Sequence, residues 1–310
     1  MNFIYDFLLE NGIIKESKEQ QISLVEPYYH ILYKENLPKE VFSARDRFAH
    51  KGCFGHALLI AGSYGKAGAA VLSAKATLRA GCGLLSVHIC KKLYDIMQIS
   101  VPEAMIDLDE SDTMFSTLTD AEKFSAIGIG PGLGTNIKTK SVLQEFLQAN
   151  RKPVVLDADA LNILSTIKDF HKILTENTIL TPHPKEFERL FGKFTSYKQK
   201  IEFMRRFCSQ YGVIIVLKGG ITAISDASGD IYFNIIGNAG MATAGSGDVL
   251  SGIVLGMLSQ KFSSISSAQS AVYVHALAGD LAKMEMGEKS LIASDIINFL
   301  PKAFNKIGER

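Results

Sequence analysis

Apolar residues fall in short blocks that end on glycine, aspartate, threonine or lysine, and stretches with helical spacing lie between them. Ala57–Ala61, Leu84–Ile89, Ala126–Gly130, Pro153–Asp157, Thr178–Thr181 and Val213–Leu217 have the length and apolar character of buried strands. Ala69–Arg79 is alanine-rich and stops at Gly81-Cys-Gly83, which predicts a helix. Further helices are expected at Lys140–Gln148, between Thr181 and Val213, and at Asp248–Met257, Ser267–Met284 and Ile292–Phe299. Ile221–Ser225 and Ile231–Asn234 flank Gly229 as a short hairpin. Buried strands alternating with helices make a parallel sheet covered on both faces. The expected fold class is therefore α/β, a three-layer αβα sandwich with a mostly parallel central sheet. One domain is expected over 43–310, since no repeat, low-complexity tract or long linker divides it. Residues 1–42 read as a lead segment of short helices or extended chain, packed on the domain or on a neighbouring subunit.

Ligands of such sheets bind at the carboxyl ends of the strands. Gly62, Gly130, Asp157, Thr181 and Lys218 all fall there, so the motifs around them point to one site. The densest is Asn238-Ala-Gly-Met-Ala-Thr-Ala-Gly-Ser-Gly-Asp248, followed by an apolar helix. Gly245, Ser246 and Gly247 leave bare backbone at a helix start, where unpaired N–H groups suit a phosphate or a developing oxyanion. Asp248 beside that turn is placed to take a proton from a hydroxyl attacking a phosphoryl group. A plain helix cap would also use an aspartate, but it needs no such density of small residues.

The other motifs each admit a bland reading. Gly62-Ser-Tyr-Gly-Lys-Ala-Gly68 matches neither the Walker nor the dinucleotide glycine spacing, and serves equally as a tight turn. Gly130-Pro-Gly-Leu-Gly134 either ends a strand or brings backbone to a ligand. In Asp157-Ala-Asp-Ala-Leu-Asn162 the carboxylates could reach a hydrated magnesium, or cap a helix and hold a loop. His183 lies between Pro182 and Pro184, whose fixed backbone sets the ring's direction, and Glu186 and Glu188 open the next helix as caps. Lys218, Gly219 and Gly220 either meet a phosphate or make a turn.

Bulk properties narrow the classes. The 310 residues are 47% hydrophobic and 21% charged with net charge +1, which gives no field for nucleic acid or an anionic membrane. No uninterrupted apolar run is long enough to span a bilayer, and the first residues lack the basic opening of a signal peptide. The four cysteines, Cys53, Cys82, Cys90 and Cys208, show neither paired nor zinc-ligand spacing, as expected of a cytoplasmic protein.

Taken in order, Gly-Ser-Tyr-Gly-Lys-Ala-Gly-Ala, Gly-Pro-Gly-Leu-Gly, Asp-Ala-Asp-Ala-Leu-Asn, Thr-Pro-His-Pro-Lys-Glu, Leu-Lys-Gly-Gly and Ala-Gly-Ser-Gly-Asp resemble the ADP- or ATP-dependent NAD(P)H-hydrate dehydratases of the ribokinase-like superfamily. The resemblance covers about residues 43 to 300. It implies that Asp248 activates the substrate hydroxyl and that backbone N–H groups from Ala244 to Gly247 stabilise the transferring phosphoryl group. It assigns Lys218, Gly219, Gly220, Ile221, Thr222 and Gly247 to the adenine nucleotide. Ala69, Gly132, Gly134, His183 and Asp248 go to NAD(P)H hydrate, and Asp157, Asp159 and Asn162 to Mg2+ or phosphate. The resemblance also implies a homo-oligomer, commonly a tetramer. The epimerase domain fused to many relatives exceeds residues 1–42, so dehydratase activity alone is expected. A small-molecule kinase of the same superfamily, acting on a thiazole or pyrimidine alcohol, would use the same Asp248 turn. A non-catalytic dinucleotide-binding protein would not need it.

Overall fold

Short apolar strands with a side chain to each face need partners on both sides, and ten of them join here into one sheet. The computed structural model describes residues 3–17 and 21–308. Its strands are β1 (Tyr29–Ile31), β2 (His56–Ile60), β3 (Leu84–Ile89), β4 (Met105–Leu108), β5 (Ala126–Ile129), β6 (Val154–Leu156), β7 (Thr178–Leu180), β8 (Ile214–Leu217), β9 (Thr222–Ser225) and β10 (Ile231–Asn234). The helices are α1 (Phe3–Glu10), α2 (Ala67–Arg79), α3 (Tyr94–Ser100), α4 (Ile137–Ala149), α5 (Asp159–Leu164), α6 (Pro184–Phe191), α7 (Tyr197–Tyr211), α8 (Ser246–Ser259), α9 (Ser264–Met286) and α10 (Ala293–Gly308). Their order across the sheet is β1-β10-β9-β8-β7-β6-β5-β2-β3-β4. β9 runs antiparallel to both of its neighbours, while the pairings from β8 through β4 are parallel.

Alternation along the strands divides the core in two. Ala57 and Leu59 of β2 enter one cluster, together with α2, α8, α9 and α10; Leu58 and Ile60 enter the other, with α4, α5, α6 and α7. This is the expected three-layer α/β architecture. Direction across the sheet reverses at β2: the chain runs outward through β3 and β4, then returns to β5 on β2's other side. The crevice above the carboxyl ends of β2 and β5 is thus the topological switch point, where such sheets hold ligands.

Two strands carry no strong sequence pattern. β4 is an edge strand with Met105 and Leu108 43% and 46% exposed, so it lacks the buried apolar run that marks its neighbours. β1 lies within the lead segment and adds in parallel to β10, pairing Tyr29 with Ile231 and Ile31 with Phe233. The ends of β1 are fixed by the bonds Ile231 N–H to Tyr28 O and Leu32 N–H to Phe233 O. The lead segment therefore supplies both a sheet edge and α1.

The helix that carries the site, α8, lies almost backbone to backbone on α2. A Cβ on Gly252 would fall 2.3 Å from Ser73 O, and one on Gly256 2.5 Å from Thr77 O. Ala76 and Ala80 face the same two glycines, and Ser73 Oγ donates to Asp248 O at 3.0 Å. Small residues here set the distance between the helices and hence the height of the α8 amino terminus above the sheet. Gly252→Ala should therefore cost on the order of 2–3 kcal/mol in urea unfolding. Gly68→Ala, at the exposed start of α2 with open space around the new carbon, should be neutral or stabilising. Equal losses for the two variants would remove the packing argument.

Candidate active site

The turn before α8 is set by Gly245, whose φ of +88° is a left-handed conformation and whose Cβ would lie 2.4 Å from Leu72 Cδ1. The helix begins at Ser246, two residues before the expected Asp248, because that turn already completes the cap. Ser246 N–H bonds Thr243 O at 3.3 Å, and Val249 N–H bonds Gly245 O at 3.0 Å. Ser246 N–H is thus taken up within the turn, while Gly247 and Asp248 in the first helical turn have donors that helix geometry leaves for an anion. His275 on α9 buttresses the turn. Its Nε2 lies 3.0 Å from Ser246 O and 3.3 Å from Ser246 Oγ. Burial pushes its pKa down to about 4, so the ring is neutral and donates to the carbonyl.

Asp157, at the end of β6, is the hub below this turn. Its side chain is 2% exposed, with Lys218 Nζ 2.7 Å from Oδ1 and Ser251 Oγ donating to Oδ2 at 2.5 Å. One carboxylate thus ties β6 to the end of β8 and to α8. Gly247 lies against this pair: a Cβ there would come 3.2 Å from Lys218 Nζ, so the ammonium would have to give way by a few tenths of an ångström. The Asp248 carboxyl is pushed up to about 6, first by burial, then by the negative charges of Asp157 and Asp159 against the opposing pull of Lys218. A carboxylate raised to that range is a base matched to near-neutral chemistry.

The switch-point crevice is built from bare backbone. Gly62 N–H bonds Pro131 O at 2.8 Å, joining the two glycine loops. Gly130, at φ +130°, has no room for a Cβ, which would lie 1.8 Å from Asp157 O. Gly132 sits against α2, where its Cβ would fall 2.8 Å from Lys66 O and 3.0 Å from Ala69 Cβ. Ala158 takes φ +50° between the two aspartates and turns them apart. Asp157 points to Lys218, whereas Asp159 accepts from Lys66 Nζ at 2.9 Å and from Gly134 N–H at 2.8 Å. Asp159 also receives the Asn162 amide, and Asn162 Oδ1 accepts from Arg189 at 2.6 Å.

These bonds change the reading of Asp157, Asp159 and Asn162 as a metal trio. Among the described residues no group of three or more His, Cys, Asp or Glu is arranged to hold a metal. The only ligand atom Asn162 offers is taken by a guanidinium, and both carboxylates are paired with lysines. The donor set does fit a magnesium that keeps its waters and is held by charge, since the negative charges of Asp157 and Asp159 both reach the Asp248 carboxyl.

His183 is the amino-terminal cap of α6: its Nδ1 accepts from Lys185 N–H and Glu186 N–H, while Glu186 returns a bond to His183 N–H at 2.8 Å. The ring is half exposed and its pKa is lowered, by burial first and then by Lys218 and Arg189, while its Nε2 lies 3.5 Å from Glu186 Oε1. Glu186 caps the helix as expected, whereas Glu188 pairs with Lys200. Beyond Lys218, Gly219 and Gly220 are exposed, Gly220 has open space around it, and Thr222 starts β9. Leu217, Lys218, Gly219, Gly220 and Ile221 line a cavity of about 430 Å3. Ser251, Arg189 and His275 lie outside every motif; nothing in their sequence context separates them from ordinary helical polar residues.

A family model described as NAD(P)H-hydrate dehydratase matches residues 57–302. The bifunctional NAD(P)H-hydrate repair enzyme Nnr of Moorella thermoacetica is 35% identical over 278 residues, covering 86% of this chain and 52% of that protein. The ADP-dependent (S)-NAD(P)H-hydrate dehydratase of Neisseria meningitidis is 38% identical over 263 residues, 83% of this chain and 87% of that one. The ADP/ATP-dependent NAD(P)H-hydrate dehydratase of Bacillus subtilis, co-crystallized with ATP/Mg2+, superposes with a TM-score of 0.74 at 29% identity, over 88% of this chain and 99% of that chain. The chain spans about half the length of the bifunctional curated relatives it matches.

Removing the cation from the hub should be costly in two ways. Lys218→Met leaves Asp157 buried and unpaired, which should destabilise the fold by about 3–5 kcal/mol. Because Lys218 holds the Asp248 carboxyl down, its titration should also move above the wild-type value of about 6. Carboxyl resonances followed by NMR across pH 4–9 would read that shift, and an unmoved Asp248 would disconnect the two groups.

Proposed function

The chain belongs to the NAD(P)H-hydrate dehydratase family, and from that membership we propose that it returns hydrated NADH or NADPH to the reduced cofactor at the expense of ADP or ATP. The observation that carries the reading is the Asp248 carboxylate, tuned to about 6, beside the free donors of the α8 turn. The substrate dinucleotide lies in the switch-point crevice against Ala69, Gly132, Gly134 and His183. The adenine nucleotide lies against Lys218, Gly219, Gly220, Ile221, Thr222 and Gly247.

Asp248 accepts the proton of the hydroxyl added to the nicotinamide ring, and the freed oxygen attacks the terminal phosphorus of the nucleotide, breaking its bond to the bridging oxygen and releasing AMP from ADP or ADP from ATP. The N–H groups of Gly247 and Asp248, with the Lys218 ammonium behind them, take up charge on the transferring phosphoryl oxygens. Mg2+ carried on the nucleotide would supply further neutralisation, held through its waters by Asp157 and Asp159. The ring nitrogen's electron pair then expels phosphate as the carbon–oxygen bond breaks, and loss of a proton from the adjacent ring carbon restores the double bond. His275 keeps the turn rigid throughout by fixing Ser246. The same reading takes the protein as a homo-oligomer, a tetramer by resemblance, in the cytoplasm. Its four free cysteines support a reducing compartment.

The direct test is recovery of the reduced-nicotinamide absorbance from enzymatically prepared NADH hydrate, with magnesium and either ADP or ATP, and stoichiometric phosphate release. Failure with both nucleotides in folded protein that binds them would transfer the assignment to a superfamily kinase with a stable product. In the working enzyme kcat/KM should fall below about pH 6, as Asp248 becomes protonated. Asp248→Asn should lose nearly all turnover and keep nucleotide binding. A carboxyl raised on folding contributes stability only while protonated, and that stability is lost as pH rises through about 6. The asparagine variant should therefore melt higher than wild type at pH 8. Substantial residual turnover would remove Asp248 as the base.

His183→Ala should weaken binding of the hydrated dinucleotide more than that of ADP. Calorimetry showing equal losses would end that division of labour.

A further inference from the structure

The helix α1 lies outside residues 57–302, the span of the family model, and the reaction described above gives it no task. Its own pattern is two-sided: Tyr5 and Leu8 are buried, while Phe3 is 80% exposed and Ile4 37%. Phe3, Ile4 and Phe7 lie together at an open cavity. They form one wall of the cavity of about 430 Å3 whose other wall is Leu217 to Ile221. That volume lies within the roughly 300–1,000 Å3 of small-molecule sites, and its lining has the apolar character that a flat ring requires.

Tyr197, at the start of α7, lines the cavity and meets Phe7 edge-on with ring centroids 5.2 Å apart. Its hydroxyl is buried within the fold, so the ring is what it contributes to the cavity wall. Lys218 joins the cavity to the chemistry: its stem lines the apolar slot, while its ammonium binds Asp157 and lies under Gly247 at the anion-binding turn. A molecule with a polyphosphate at one end and a flat ring at the other matches that layout.

We propose that α1 completes the nucleotide site, with Phe3 and Ile4 forming one face of the slot for the adenine ring and Leu217 and Ile221 the other. The inference rests on the phosphoryl-donor reading above. It makes part of the lead segment, and not residues 57–302 alone, a determinant of nucleotide affinity.

The test is calorimetric titration of ADP, adenosine and pyrophosphate into the full chain and its Phe3→Ala/Ile4→Ala variant. Phe3 and Ile4 are exposed, so the variant should be folded. It should bind ADP and adenosine about tenfold more weakly. Pyrophosphate should be unaffected. Unchanged ADP affinity, or equal losses for ADP and pyrophosphate, would overturn the assignment of α1. Wild-type protein that binds neither ADP nor ATP would overturn it together with the donor reading. Binding that depends on α1, without any recovery of NADH from its hydrate, would overturn the reaction alone and leave the base subsite standing.

Discussion

The buried pair of Asp157 and Lys218 is the contact on which the rest of the site depends. A carboxylate at 2% exposure is tolerable only because an ammonium lies 2.7 Å away and a serine hydroxyl satisfies the second oxygen. Since the three partners come from the end of β6, the end of β8 and the first turns of α8, satisfying one charge brings three segments into register. The same charge acts outward. It adds to burial in raising the Asp248 carboxyl, while Lys218 limits the rise, so the base is tuned by the pair that holds the site together.

Small residues do the remaining positioning. Between α2 and α8 they let two backbones approach until side-chain carbons would collide with carbonyls, which sets the height of the α8 turn. In the crevice, Gly132 against Ala69 and Gly130 against Asp157 O play the same part between loops. The result is a site with few projecting side chains, whose binding groups are largely backbone. Such a surface accommodates a dinucleotide and a phosphoryl group at close range because little has to move aside.

The lead segment alters the picture of a self-contained domain with an appendage. β1 continues the sheet past β10, and α1 forms one wall of the cavity at the end of β8. Their side chains are held by the same core as α7, and Tyr28 and Tyr29 both bond Glu202.

Much of the architecture was legible in the chain because buried parallel strands are read locally: each apolar block between β2 and β8 ends at a residue that must turn. Gly62, Gly130, Asp157, His183, Lys218 and Asp248 were recognisable for the same reason, since glycine, proline and carboxylate at a strand end declare a local constraint. β4 and β1 were not: β4 is an exposed edge strand, and β1 is three residues long with His30 between its buried Tyr29 and Ile31, so neither carries an uninterrupted apolar run. Ser251, Arg189 and His275 act only through partners distant in sequence, and helical polar residues leave no local trace of such partners. The metal trio illustrates the same boundary. Spacing placed Asp157, Asp159 and Asn162 together, but only the tertiary structure decided that lysines and an arginine take their oxygens. The sequence by itself determined which backbones must bend and which carboxylates stand at the sheet edge. The pairing of charges, the pKa of Asp248 and the closing of the cavity by α1 were decided by tertiary structure, because burial and long-range contact exist only in the folded chain.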